Sequence, residues 1–181
     1  MIKRDSDPEH EATNETGKSE MTVYIGSEYG RLKEVIVGEA SGFNPSLQAA
    51  WLREALTVLP EAEQKMTIQN AGKSWDACIV DSERGLTEAD LIRAENDELV
   101  NILESLGVKV YRPAVLSEED VKTRFGSEAL INGYSQDFPR DNLIIIGNHV
   151  IEANLRTPLR RVDIEGFRTL LLEKCNAPTV K

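Results

Sequence analysis

The sequence predicts an α/β fold, and three observations carry that prediction. An amphipathic helix over 88–106 passes through Gly107 directly into the alternating run Val108-Lys109-Val110-Tyr111. Two aliphatic runs, 142–146 and 149–153, flank the dipeptide Gly147-Asn148, a hairpin signal. A short strand, Glu34-Val35-Ile36-Val37 ended by Gly38, precedes a helical pattern over 46–59. A helix that returns into a strand is half of an α/β unit.

The elements follow in order. Residues 1–20 carry six acids and three bases and almost nothing apolar, so they predict a disordered acidic tail. Order begins near Met21, and 21–181 is read as a single α/β domain. Over 46–59, Leu47, Trp51, Leu52, Ala55, Leu56 and Leu59 recur at helical spacing. Pro60 ends that helix or opens a second one over 61–69. The stretch 70–86, with Gly72 and Gly85, reads as loop. Thr87 can cap the 88–106 helix, with Asp90 at the reciprocal capping position. Leu91, Ile92, Leu99, Ile102, Leu103 and Leu106 supply its apolar stripe, and Gly107 fits a C′ glycine. Ser117-Glu118-Glu119-Asp120 starts another helix, its acids at the positive end of the dipole. A final helix spans 163–174, with Phe167, Leu170 and Leu171 on one face.

Charge and composition exclude whole classes of function. The chain has 181 residues, 31 acids against 21 bases, and a net charge of −10. Such a surface repels phosphate backbones and anionic lipid, so no nucleic-acid or membrane partner is expected. The longest aliphatic run, 143–146, is far too short to span a bilayer, and no apolar segment follows Lys3 and Arg4 to make a secretory signal. Cys78 and Cys175 form no CxxC, and with His10 and His149 they make no usual zinc site. A reducing cytoplasm is the expected compartment, with no metal and no organic cofactor.

The most unusual stretch is Tyr134-Ser135-Gln136-Asp137-Phe138-Pro139-Arg140-Asp141, which runs into the most apolar strand. A loop fed by a buried strand is held rigidly enough to carry function. Asp137 and Asp141 lie four apart beside Arg140, and a carboxylate there can bind a planar guanidinium through two parallel hydrogen bonds. The same spacing also describes an Asp–Arg pair closing a turn, and both readings stand. Glu152, in an apolar strand, requires a partner. Cys78 reads as a small packed residue, and His149 as a solvent-facing strand residue.

These residues resemble the glycine and inosamine-phosphate amidinotransferases. Pro139-Arg140-Asp141, the strand Asn142-Leu143-Ile144-Ile145-Ile146, the turn Gly147-Asn148 and Ile151-Glu152-Ala153 are similar to that family's pattern. So are 28–38, 102–113 and 161–172, and the match runs in order from about 22 to 173. The resemblance implies a pentein fold, an α/β-propeller of ββαβ modules, of which about two of five fit this length. It implies transfer of an amidino group from arginine to an amine acceptor through a Cys thioether, with a His as acid and base. By resemblance, Asp141 is a carboxylate that holds the guanidinium, Tyr134 contacts substrate, and Arg140 braces the site.

The family's His, second Asp and Cys lie in a C-terminal half with no counterpart here. Cys175 lacks their Gly-rich setting, and 175–181 leave the family pattern, as a premature stop, frameshift or gene fragment would make them. The chain alone is therefore expected to be inactive. Other readings stay open: a module that binds a guanidino compound, one whose open strand edges pair with a second copy or a complementing chain, or part of an arginine deiminase-like hydrolase.

Overall fold

A computed structural model of the chain describes residues 2–4, 23–27, 29–155 and 161–175. In chain order the elements are β1 (Ile2–Arg4), β2 (Leu32–Ile36), β3 (Gly42–Phe43), α1 (Ala50–Leu56), α2 (Glu61–Asn70), a 3-10 turn (Trp75–Ala77), β4 (Ile79–Asp81), β5 (Leu86–Thr87), α3 (Glu88–Ser105), β6 (Lys109–Tyr111), α4 (Glu118–Phe125), α5 (Glu128–Asn132), β7 (Tyr134–Ser135), α6 (Pro139–Asn142), β8 (Leu143–Ile146), β9 (His149–Glu152) and α7 (Glu165–Cys175). The α/β character is as the sequence predicts. Among the described residues the strands divide into four small sheets, none of them closed: β1-β2-β6, β3-β7, β4-β5 and β8-β9.

β2 is the middle of the largest sheet. It pairs antiparallel with β1 and parallel with β6, where Val35 faces Val110. A parallel neighbour demands a long crossover, and α1, α2 and α3 all lie in it. α3 starts on the expected capping box: Thr87 Oγ1 accepts the Asp90 N–H at 3.2 Å and Asp90 Oδ2 accepts the Thr87 N–H at 3.0 Å. Gly107 (φ +77°) then turns the chain back toward β6, a left-handed conformation that only glycine adopts cheaply. Ser117 and Asp120 form the same box at the start of α4.

Three expectations are corrected. The tail assigned to 1–20 contains a strand at Ile2–Arg4, which pairs with β2; residues 5–22 lie outside the described ones. The helix expected over 46–59 is only Ala50–Leu56. Ser46 accepts the Gln48 N–H at 3.1 Å and its carbonyl accepts the Ala49 N–H at 2.9 Å, so a local turn displaces the first helical turn. The stretch 70–86 is not all loop: it holds the 3-10 turn and the β4–β5 hairpin. α5, β7 and α6 were not foreseen. Pro60 opens α2 over 61–70, a helix that buries none of its side chains.

Two clusters form the core. Ile36, Leu143, Ile164, Phe167 and Leu171 join β2, β8 and α7, with Phe167 fully buried. Leu116, Val121, Leu130, Tyr134 and Val162 join α4, α5 and β7. The β8–β9 hairpin has the expected register, Leu143 opposite Glu152 and Ile146 opposite His149 across Gly147-Asn148. The segment 134–142 runs from the second cluster to the first.

Candidate functional site

The segment 134–142 is buried at both ends and exposed in its middle. Tyr134, Ser135 and Gln136 are buried, Asp137 is half-buried, Phe138, Arg140 and Asp141 are exposed, and Asn142 is buried again. The anchors are polar, because buried polar groups hold a loop only where their bonds are made. Gln136 Oε1 accepts the Leu116 N–H at 2.8 Å, and its Nε2 donates to the Ala114 carbonyl at 2.7 Å. The Gln136 N–H donates to the Ser41 carbonyl at 2.9 Å, and its carbonyl accepts the Glu39 N–H at 3.0 Å. Asp163, fully buried just before α7, accepts the Ser135 N–H at 2.8 Å. The Asn142 carbonyl accepts the Ala153 N–H at 2.9 Å, and its side chain donates to the Phe138 carbonyl at 3.4 Å.

A second set of contacts reaches the loop from the larger sheet. Gly38, just past β2, lies so close that a Cβ there would overlap the Asp137 backbone. Asn96 of α3 donates to Asp137 Oδ1 at 2.8 Å. Arg112, just past β6, donates to the Gly38 carbonyl and, at 2.6 Å, to Asp97. Asp141 thus stands on an exposed tip whose flanks are fixed by β2, α3, β6 and α7.

The structure places Arg140 and Asp141 on this tip, Asp137 at its anchored base, Tyr134 in the second core cluster and Glu152 on β9. Tyr134 is a core residue: its ring stacks on Phe43 with centroids 6.4 Å apart, and its hydroxyl donates to the Leu116 carbonyl at 3.1 Å. Burial pushes its phenol pKa up. The resemblance implies a substrate contact for Tyr134; in the structure the residue is 4% exposed. Arg140 has no ion pair or hydrogen bond among the described residues, so the guanidinium that braces this region is that of Arg112.

Glu152 has the partner that the sequence required. It accepts from Arg168 Nε at 3.1 Å and from Nη2 at 2.8 Å. These bonds hold its carboxyl below the usual carboxylate range, against a smaller opposing effect of burial. Arg168 also bonds Glu165, so the pair ties the hairpin to α7.

Cys78 is fully buried; Asn44 donates to its Sγ at 3.2 Å, and Sγ donates to the Ser74 carbonyl at 3.3 Å. Burial raises its pKa, against a smaller lowering by the Asn44 bond. A thiol in that setting keeps its proton and is a poor nucleophile. His149 is exposed on β9, and Cys175 closes α7. Among the described residues no group of three His, Cys, Asp or Glu could hold a metal, and no helix is long and apolar enough to cross a membrane. An open cavity of about 260 Å³ is lined by Asn44, Pro45, Met66, Thr67, Asn70, Val80 and Glu88 and shares no residue with the loop.

Sequence reasoning missed Asn96, Arg112, Gln136 and Asp163 as parts of the site. Asp163 is a carboxylate between Val162 and Ile164, and Gln136 lies inside the polar run 135–137; those are their only visible signals. For Asn96 and Arg112 no local signal exists, because each meets its partner across the fold.

The molecule is an α/β protein with a carboxylate tip ahead of an aliphatic hairpin, and its fold has a counterpart among known proteins. The fold matches inosamine-phosphate amidinotransferase from Streptomyces griseus, a protein of pentein fold, with a TM-score of 0.55 and 24% identity, over 88% of this chain and 44% of that one. No protein-family model matches the chain. In sequence, the L-arginine:L-lysine amidinotransferase of Pseudomonas savastanoi pv. phaseolicola is 31% identical over 147 residues, 81% of this chain and 37% of that protein. In sequence the chain is thus similar to part of an amidinotransferase, and it spans less than half the length of either relative.

Proposed function

We propose that this chain carries the guanidino-binding part of an amidinotransferase-type site, built from about two propeller modules, with Asp141 holding the guanidinium of arginine. One observation carries the reading: Asp141 stands on an exposed tip whose two ends are held by hydrogen-bonded, buried polar residues, Gln136 and Asp163 on one side and Asn142 on the other. A carboxylate held in this way binds a planar cation through paired charge-assisted bonds and fixes its orientation. Transfer of the amidino group to an amine also needs a thiolate and an acid–base imidazole. Cys78 is buried and protonated, and His149 is exposed on the hairpin, so neither supports that role. The chain by itself binds and does not turn over.

Calorimetry with L-arginine tests this. Binding is expected, weakened about tenfold or more by Asp141→Asn, in keeping with the loss of a charged hydrogen-bond acceptor. A wild-type chain that does not bind, or an Asp141→Asn chain that binds equally well, refutes the site. Turnover of arginine with glycine or hydroxylamine by this chain refutes its inactivity.

A second reading, a module that pairs with another polypeptide, is favoured by the outer face of the hairpin. Ile144, Ile146 and Ile151 are 48, 63 and 45% exposed there.

A further inference from the structure

The spacing of Asp137 and Asp141 suggests two carboxylates sharing one guanidinium. We propose instead that Asp137 is a positioning residue: Asn96 and Asp137 form a latch that fixes the tip on which Asp141 stands. The inference rests on the reading of Asp141 as the guanidinium-binding carboxylate and assigns the neighbouring acid a different task.

The geometry has three parts. Asn96 Nδ2 donates to Asp137 Oδ1 at 2.8 Å, so one carboxylate oxygen is already engaged by the protein. The same amide nitrogen lies 3.5 Å from the Gly38 carbonyl, which also accepts from Arg112. Arg112 is in turn held by Asp97, the residue next to Asn96 on α3. The Gly38 backbone, the Asp137 backbone and the α3 amide are thus packed into one unit, with no room for a Cβ between Gly38 and Asp137.

α3 suits the role of a post. It is 18 residues long and capped by a full capping box, so Asn96 is presented from a stiff element rather than from another loop. Asp137 is half-buried at the last anchored position before the exposed tip. A bond made there removes the freedom of 138–141 without covering Asp141. A ligand guanidinium that engaged both acids would have to compete with this charge-assisted bond, whereas one that engages Asp141 leaves it intact.

A reciprocal swap tests the latch. Asn96→Asp sets two carboxylates at hydrogen-bond distance and should raise the Kd for L-arginine about tenfold, with Asn96→Ala giving a smaller rise in the same direction. The double variant Asn96→Asp with Asp137→Asn restores one donor and one acceptor in reverse and should bind within about threefold of wild type. A double variant that binds no better than Asn96→Asp overturns the proposal, since the charge of Asp137 would then itself hold the ligand.

Amide hydrogen exchange over 137–141 provides a readout that needs no ligand. Asn96→Asp and Asn96→Ala should speed exchange there, and the swap should slow it again. Exchange unchanged in both single variants overturns the latch. Failure of the wild-type chain to bind arginine would refute the role of Asp141, while the exchange result would still decide the latch.

Discussion

Gly38 has no side chain, and the Asp137 backbone occupies the place where one would stand. Even a methyl group must push the loop away from β2. Gly38→Ala should therefore destabilise the protein by about 1–3 kcal/mol, the usual cost of overpacking, read as a lower urea midpoint. It should also loosen the tip that carries Asp141. At this scale the sequence marks the candidate site but not what holds it. The polar run ahead of an aliphatic strand marks Asp141 and its neighbours. Its supports come from far along the chain: Asn96 lies 41 residues before Asp137, and Asp163 lies 28 after Ser135. Bonds between such distant residues leave no periodic trace. Tyr134 shows the converse: resemblance implies a substrate contact, and nothing local announces that its ring stacks on Phe43.

Among the elements, those with a strong local signature were legible and the shortest were not. α3 has its capping box and terminal glycine, and the β8–β9 hairpin has its aliphatic pairs and Gly-Asn turn. β3, β5 and β7 are two residues each, too short for alternation to register. α7 is pinned by a group that no pattern announces. Lys174 donates to Glu34 Oε2 at 2.6 Å, bonds the Tyr111 hydroxyl, and lies 3.9 Å from the centre of the Tyr111 ring. Burial alone would lower the pKa of this lysine, but the bonds to Glu34 and Tyr111 outweigh it and raise the value. A raised folded-state pKa means that the stabilisation is complete below the ordinary lysine value and fades as pH rises through the folded one. The stability difference between wild type and Lys174→Met should therefore stay constant up to about pH 10 and shrink above it. Urea melts at a series of alkaline pH values check this.

For the molecule as a whole, charge and apolar surface pull in opposite directions. A net charge of −10 keeps copies apart, while the outer face of the hairpin exposes three isoleucines. If that face pairs with another polypeptide, light scattering after size exclusion should show an assembly or a complex, and Ile146→Lys should abolish it. A wild-type chain that stays a monomer at high salt, where repulsion is screened, counts against pairing with its own copies.

α2 lies at the surface, and none of its side chains is fully buried. An engineer would treat it as the graft point of the molecule. A fluorophore, an epitope or an affinity tag spliced into 61–70 leaves both core clusters and the Asp141 tip untouched. The binding and exchange experiments could then be run on a surface-tethered protein whose attachment does not disturb what they measure.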